Sequence, residues 1–122
     1  MKILIVDDSK AMRMIVRRTL RQAGYGDHAV EEACNGAEAL RMIQASPPHL
    51  VLADWNMPEM TGIELLLALR GTGYGGAFGF VTSEGTPEVH KTALDAGARF
   101  VITKPFLPET FREKLAPVLG AS

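Results

Sequence analysis

The chain has a single cysteine, Cys34, among its 122 residues. One cysteine cannot form an internal disulfide or a cysteine-rich metal site, and such usage is typical of a reducing compartment. Long apolar runs are also missing, because no stretch approaches the roughly 20 residues that a membrane-spanning helix needs. The amino terminus has one lysine before an apolar stretch too short for a secretory signal. These absences predict a cytoplasmic protein without membrane insertion.

An excess of positive charge is absent as well, since 13 Lys and Arg residues stand against 14 Asp and Glu residues. The net charge of -1 provides no positive field for a polyanion, so direct binding of nucleic acid is not expected. Hydrophobic residues make up 47% and charged residues 22%, as in ordinary folded chains. At this length we expect one domain, residues 1–122.

Apolar runs bounded by turn or charged residues predict five strands, at 3–6, 29–33, 50–53, 77–81 and 100–102. Segments with helical spacing lie between and after them. Thr86 followed by Pro87 marks the start of the fourth helix, Pro108 begins the fifth, and Pro117 is expected to kink or end it. Regular alternation of strand and helix predicts parallel strands with helices on both faces, a doubly wound α/β fold.

Polar residues stand where four of the predicted strands end. In a doubly wound fold ligands bind outside the carboxyl ends of the strands, so these residues are expected to converge on one edge of the sheet. They are Asp7 and Asp8 after the first strand, Asp54 and Asn56 after the third, Thr82 after the fourth and Lys104 after the fifth.

Three neighbouring carboxylates repel one another, and a bound cation relieves that repulsion. Oxygen ligands without cysteine or histidine suit Mg²⁺, which commonly bridges to a phosphate. An aspartate can also attack phosphorus and form an acyl phosphate. Asp7 and Asp8 are adjacent and suited to a shared metal, which favours Asp54 as the attacking carboxylate. Lys104 would then neutralise phosphoryl oxygens, and Thr82 would donate a hydrogen bond to one of them.

Four motifs stand in order at these strand ends: VDDS at 6–9, DWNMPEMTG at 54–62, VTSE at 81–84 and TKPF at 103–106. Together they resemble the receiver domain of bacterial two-component response regulators, most closely the stand-alone chemotaxis type. The resemblance covers essentially the whole chain. It implies a single flavodoxin-like (βα)5 domain whose parallel sheet has the strand order 2-1-3-4-5.

The resemblance also implies a role for each acidic residue. Asp54 would accept a phosphoryl group from a phosphohistidine on a sensor histidine kinase or a phosphotransfer protein. Asp8 and Asp54 would ligate Mg²⁺ directly, with the backbone carbonyl of Asn56 as a third ligand. Asp7 would act mainly through water.

Two further residues, Thr82 and Lys104, would sense the phosphoryl group and couple it to the face built by helix four, strand five and helix five. The peptide before Pro105 would be cis, as is usual in the family. One position departs from the family pattern, in which an aromatic residue usually stands three positions before the strand-five lysine. Val101 occupies that position here, and Phe100 is expected to face the opposite side of the sheet.

The predicted function is a phosphorylation-controlled switch that changes its binding to a downstream protein, as a monomer, and catalyses only its own phosphoryl transfer and dephosphorylation. An alternative is a Mg²⁺-dependent aspartyl phosphotransferase or phosphatase that acts on outside substrates. Dehalogenase-type enzymes of that class carry an Asp-x-Asp motif, whereas Asp7 and Asp8 are adjacent. A third interpretation is a degenerate receiver that binds its partner constitutively, and the intact set of acidic residues argues against it.

Two expectations concern residues away from this edge. Cys34 is expected to be a small buried apolar residue. Helix one carries a basic face that is expected to be solvated, formed by Arg13, Arg17, Arg18 and Arg21.

Overall fold

A computed structural model describes residues 1–120 of the chain. The strands are β1 Lys2–Val6, β2 Ala29–Ala33, β3 Leu50–Ala53, β4 Ala77–Thr82 and β5 Phe100–Thr103. The helices are α1 Lys10–Leu20, α2 Gly36–Ala45, α3 Gly62–Gly71, α4 Pro87–Asp95 and α5 Pro108–Leu119, with a π-helical turn at Arg21–Tyr25. All five predicted strands are present, three of them longer than predicted by one residue. Within residues 1–120 no helix is both long enough and apolar enough to cross a membrane.

The strands form one sheet in the order β2-β1-β3-β4-β5, and every neighbouring pair is parallel. This order brings β1 and β3 together at the centre, where both are buried. The acidic residues that follow these two strands therefore lie side by side. The predicted doubly wound fold and its strand order are confirmed.

Each face of the sheet carries its own apolar core, because side chains alternate along a strand. Ile3 and Ile5 of β1 pack with α1 and α5 on one face. Leu4 and Val6 pack with α2, α3 and α4 on the other. Burial on both faces accounts for the unbroken aliphatic runs of the central strands.

Phe100 and Val101 face opposite sides of the sheet, as predicted from the alternation. Val101 belongs to the core under α2, α3 and α4, and Phe100 to the core under α1 and α5. The ring of Phe100 lies over its register partner Gly79, where a Cβ would come within 2.2 Å of Cε1 of the ring. Phe100 is 5% exposed, so the ring is buried between β4 and the helices.

Side-chain caps set where the helices begin next to the carboxyl edge of the sheet. Ser9 accepts a hydrogen bond from the backbone of Met12 and starts α1 directly after the first acidic pair. Thr61 and Glu64 form a capping box that starts α3. Helix α5 runs through Pro117 and ends two residues later at Leu119, so the proline does not stop the helix at its own position.

Candidate functional site

Three carboxylates meet at the carboxyl edge of the sheet. Asp7, Asp8 and Asp54 each offer an oxygen, and these oxygens lie within 4.8 Å of one another. Asp7 follows β1, and the backbone N–H of Asp54 donates to the carbonyl of Val6, so the pairing of β1 with β3 sets their separation. Within residues 1–120 this is the one group of three or more His, Cys, Asp or Glu side chains with metal-ligand spacing.

Lys104 reaches the same cluster from the end of β5. Its Nζ lies 3.4 Å from Oδ2 of Asp7 and 3.6 Å from Oδ2 of Asp54. The lysine side chain is 16% exposed and that of Asp54 14% exposed, so the two charges interact in a partly desolvated place. The peptide between Lys104 and Pro105 is cis, as the resemblance implied.

Asp7 is the most buried carboxylate of the cluster, with 4% of the residue exposed. Burial raises the pKa of this carboxyl above its ordinary value, and the nearby charge of Asp54 raises it further. The hydrogen bond from the Ser9 backbone and the ammonium of Lys104 lower it, but not enough to cancel the rise. The site therefore disfavours the charge of Asp7 as long as no cation shares it.

The charges and donor atoms of this cluster fit a divalent cation. Three carboxylates against one ammonium leave two negative charges in excess. The ligand atoms that the three aspartates offer are all oxygens. Asp8 is exposed at the rim of the cluster, where a bound cation can keep some of its water ligands. This combination suits Mg²⁺.

Asn56 lies on the loop after β3, two residues beyond Asp54, and Thr82 is the last residue of β4. Thr82 is fully buried, and its Oγ1 accepts a hydrogen bond of 3.1 Å from the backbone of Glu84. The amide nitrogen of Asn56 donates to Oε1 of Glu84 at 3.0 Å, which joins the loop after β3 to the loop after β4. The sequence gives no signal for this link beyond the position of Glu84 in the VTSE motif.

Helix α3 begins in close contact with Asp54. A Cβ at Gly62 would lie 2.2 Å from the backbone oxygen of Asp54 and 2.7 Å from Cε1 of Phe80. Only glycine allows this approach. The glycine at the end of the DWNMPEMTG motif thus has a packing reason that spacing alone did not reveal.

Two residues of the basic helix face are engaged rather than solvated. Arg13 and Arg17 both bond to the carboxylate of Glu32 on β2. Arg13 also donates to the backbone carbonyl of Asp7 at 2.6 Å. The i,i+4 spacing of the two arginines is visible in the sequence, but their partner on β2, a strand that carries both Glu31 and Glu32, is not.

The expectation for Cys34 is wrong, because the residue is exposed. It lies one position beyond the end of β2, in the turn before Asn35 caps α2. The sheet therefore does not cover it.

Comparison with known proteins agrees with the fold. The family model of the response regulator receiver domain matches residues 3–116, and the chain belongs to this family. It is 42% identical to the chemotaxis protein CheY1 of Helicobacter pylori over 125 residues, covering 100% of this chain and 99% of that protein. The CheY homolog of Campylobacter jejuni is 43% identical over 123 residues, covering 98% of this chain and 93% of that protein.

A solved structure shows the same architecture. The crystal structure of the chemotaxis protein CheY4 of Vibrio cholerae matches with a TM-score of 0.84 and 38% identity, covering 97% of this chain and 98% of that chain. A receiver domain of the CheY type is a phosphorylation-dependent signalling switch. Receiver domains bind Mg²⁺ at an acidic pocket, and this chain has an acidic cluster of three aspartates at the carboxyl edge of its sheet.

Proposed function

We propose that Asp54 accepts a phosphoryl group from a phosphohistidine of a sensor histidine kinase or phosphotransfer protein, and that the chain then changes its binding to a downstream protein. The observation that carries this proposal is the convergence of Asp54 with Lys104 and the two aspartates after β1. We take residues 1–122 as one receiver domain that acts as a cytoplasmic monomer. Because two relatives are named chemotaxis proteins, we place the downstream partner in chemotaxis signalling.

The transfer step is an in-line displacement at phosphorus. An oxygen of Asp54 forms the new P–O bond while the P–N bond to the donor histidine breaks. The electron pair of that bond stays on the imidazole nitrogen, which takes a proton from water. Hydrolysis of the acyl phosphate later returns the carboxylate and inorganic phosphate.

Asp7, Asp8, Asp54 and the backbone carbonyl of Asn56 would hold Mg²⁺, with Asp7 acting mainly through water. The bound cation supplies charge neutralisation for an anionic nucleophile that approaches an anionic phosphoryl group. Asp7 and Asp8 are adjacent on one loop and suited to a shared cation. Asp54, which follows the neighbouring strand, is then the carboxylate that attacks phosphorus.

Lys104 and Thr82 would contact the phosphoryl group on Asp54 and so sense phosphorylation. The ammonium already lies 3.6 Å from Oδ2 of Asp54, so it can follow a phosphoryl oxygen with a small movement. The Thr82 hydroxyl is occupied on its acceptor side by the Glu84 amide, and a turn of the side chain toward the phosphoryl group would release that amide. Release of Glu84 would move the loop that leads into α4.

The test is phosphorylation with a small phosphodonor and Mg²⁺, followed by peptide mapping of the adduct. The wild-type chain should gain one base-labile acyl phosphate. Asp54→Asn should abolish it, because the change removes the charge without changing the volume, whereas Asp95→Asn on the exposed surface of α4 should not. An undiminished adduct in Asp54→Asn would refute the assignment, and steady turnover of unrelated phosphomonoesters would favour the phosphatase alternative.

A further inference from the structure

The guanidinium of Arg13 joins the acidic cluster to the edge strand. Its Nη1 donates a bond of 2.6 Å to the backbone carbonyl of Asp7, and its Nε donates a bond of 2.9 Å to Oε1 of Glu32. The Arg13 side chain is only 14% exposed. Charge-assisted bonds in such a partly desolvated place are strong and hold a defined geometry.

Glu32 binds a second arginine of the same helix with its other carboxylate oxygen. Its Oε2 accepts a bond of 3.0 Å from Nε of Arg17, which stands one helical turn after Arg13. Arg17 also donates to the carbonyl of Val30, and so holds the edge strand instead of the cluster. Burial raises the pKa of Glu32, but the bonds from the two guanidiniums outweigh it and keep the pKa below its ordinary value.

The carbonyl that Arg13 holds belongs to the peptide between Asp7 and Asp8. The orientation of that peptide is linked to ψ of Asp7 and φ of Asp8, and therefore constrains the direction in which both side chains leave the backbone. Because Asp8 is exposed, packing does little to hold its side chain. The orientation of this peptide is therefore a direct restraint on where its carboxylate lies. Loss of the bond would allow the peptide to tilt and would spread the positions of the two carboxylates.

We propose that Arg13, anchored by Glu32, is a positioning residue for the cation site, which holds the Asp7–Asp8 peptide in the orientation that presents both carboxylates to Mg²⁺. This rests on the proposed function, since it takes the acidic cluster as the Mg²⁺ site. Coulomb's law alone makes the opposite prediction. Removing a positive charge beside a cation site should tighten Mg²⁺ binding, whereas loss of positioning should weaken it.

The experiment is a Mg²⁺ titration of the full chain, with the emission of Trp55 as the signal because this residue follows Asp54 directly. Partners of metal ligands commonly affect metal affinity by 10–100-fold, and we expect Arg13→Ala to weaken Mg²⁺ binding by about tenfold. Arg13→Lys keeps the charge and one donor, so it should weaken binding less. Urea unfolding of each variant shows that it is folded.

Arg17→Ala is the matched control, because it removes a guanidinium from the same helix and the same glutamate without touching Asp7. Its Mg²⁺ affinity should stay within about twofold of the wild type. Unchanged or tighter binding in both Arg13 variants would overturn the inference, as would an equal loss in Arg17→Ala. If the wild-type chain itself bound no Mg²⁺, the proposed function would fail first, so the two failures are distinguishable.

Discussion

Replacing Gly62 by alanine tests how closely helix α3 approaches the proposed acceptor. The new Cβ would lie 2.2 Å from the backbone oxygen of Asp54 and 2.7 Å from Cε1 of Phe80. Nonbonded contacts between carbon atoms settle near 3.5 Å, so the neighbours must move by about 1 Å. One neighbour is the backbone of the acceptor itself, and the other is a ring with no exposed surface. Neither can yield without disturbing the site.

The cost of this substitution combines two opposite contributions. Overpacking of a tight core typically costs about 1–3 kcal/mol, and contact with backbone places Gly62→Ala at the upper end. Alanine in a helix gains back about 0.5–1 kcal/mol over glycine. We expect the free energy of unfolding to fall by about 2 kcal/mol net. Displacement of Asp54 by about 1 Å should also slow phosphorylation, by as much as about 100-fold.

Gly71→Ala is the control for this prediction, since it lies at the other end of the same helix with nothing within 4 Å of its Cβ. Its stability should stay the same or rise by up to about 1 kcal/mol, and its phosphorylation rate should not change. Urea unfolding followed by circular dichroism measures the first quantity, and the rate of adduct formation with a small phosphodonor measures the second. A Gly62→Ala variant with wild-type stability and rate would refute the reasoning.

Three further predictions concern the site and its coupling. Asp7 has a raised pKa in the fold, so stability without Mg²⁺ should fall as pH rises through that value. Asp7→Asn should therefore stabilise the chain near neutral pH, which a higher urea midpoint would show. No gain in the midpoint, or a gain that persists below about pH 3.9, would contradict this. Lys104→Ala should retain some phosphorylation but weaken the phosphorylation-linked change in partner affinity, and an intact change would exclude the proposed coupling. Phe100→Leu should lower the free energy of unfolding by about 1 kcal/mol. It should leave the phosphorylation-linked change in partner affinity intact, because the ring is buried over Gly79 and is not expected to switch. A large loss of that affinity change in a binding assay would contradict this.

The sequence alone was enough to predict the strands and the convergence of Asp7, Asp54 and Lys104 at one edge of the sheet. Short unbroken apolar runs such as 50–53, bounded by turn or charged residues, fit strands covered on both faces, and parallel strands put their carboxyl ends at one edge. Asp7, Asp54 and Lys104 each directly follow a strand, so their convergence follows from topology without any detail of packing. The opposite orientations of Phe100 and Val101 were predictable for a similar reason, because alternation along a strand is local.

Tertiary structure decided what depends on contacts between distant segments. Arg13 meets Glu32 only because the fold brings α1 next to β2, and no local pattern distinguishes an engaged arginine from a solvated one. The requirement for glycine at Gly62 arises because α3 begins against the backbone of Asp54 and the ring of Phe80. The exposure of Cys34 follows from the residue at which β2 ends. Periodicity records which face a residue occupies, but the partner across that face is chosen by the packing of the whole chain.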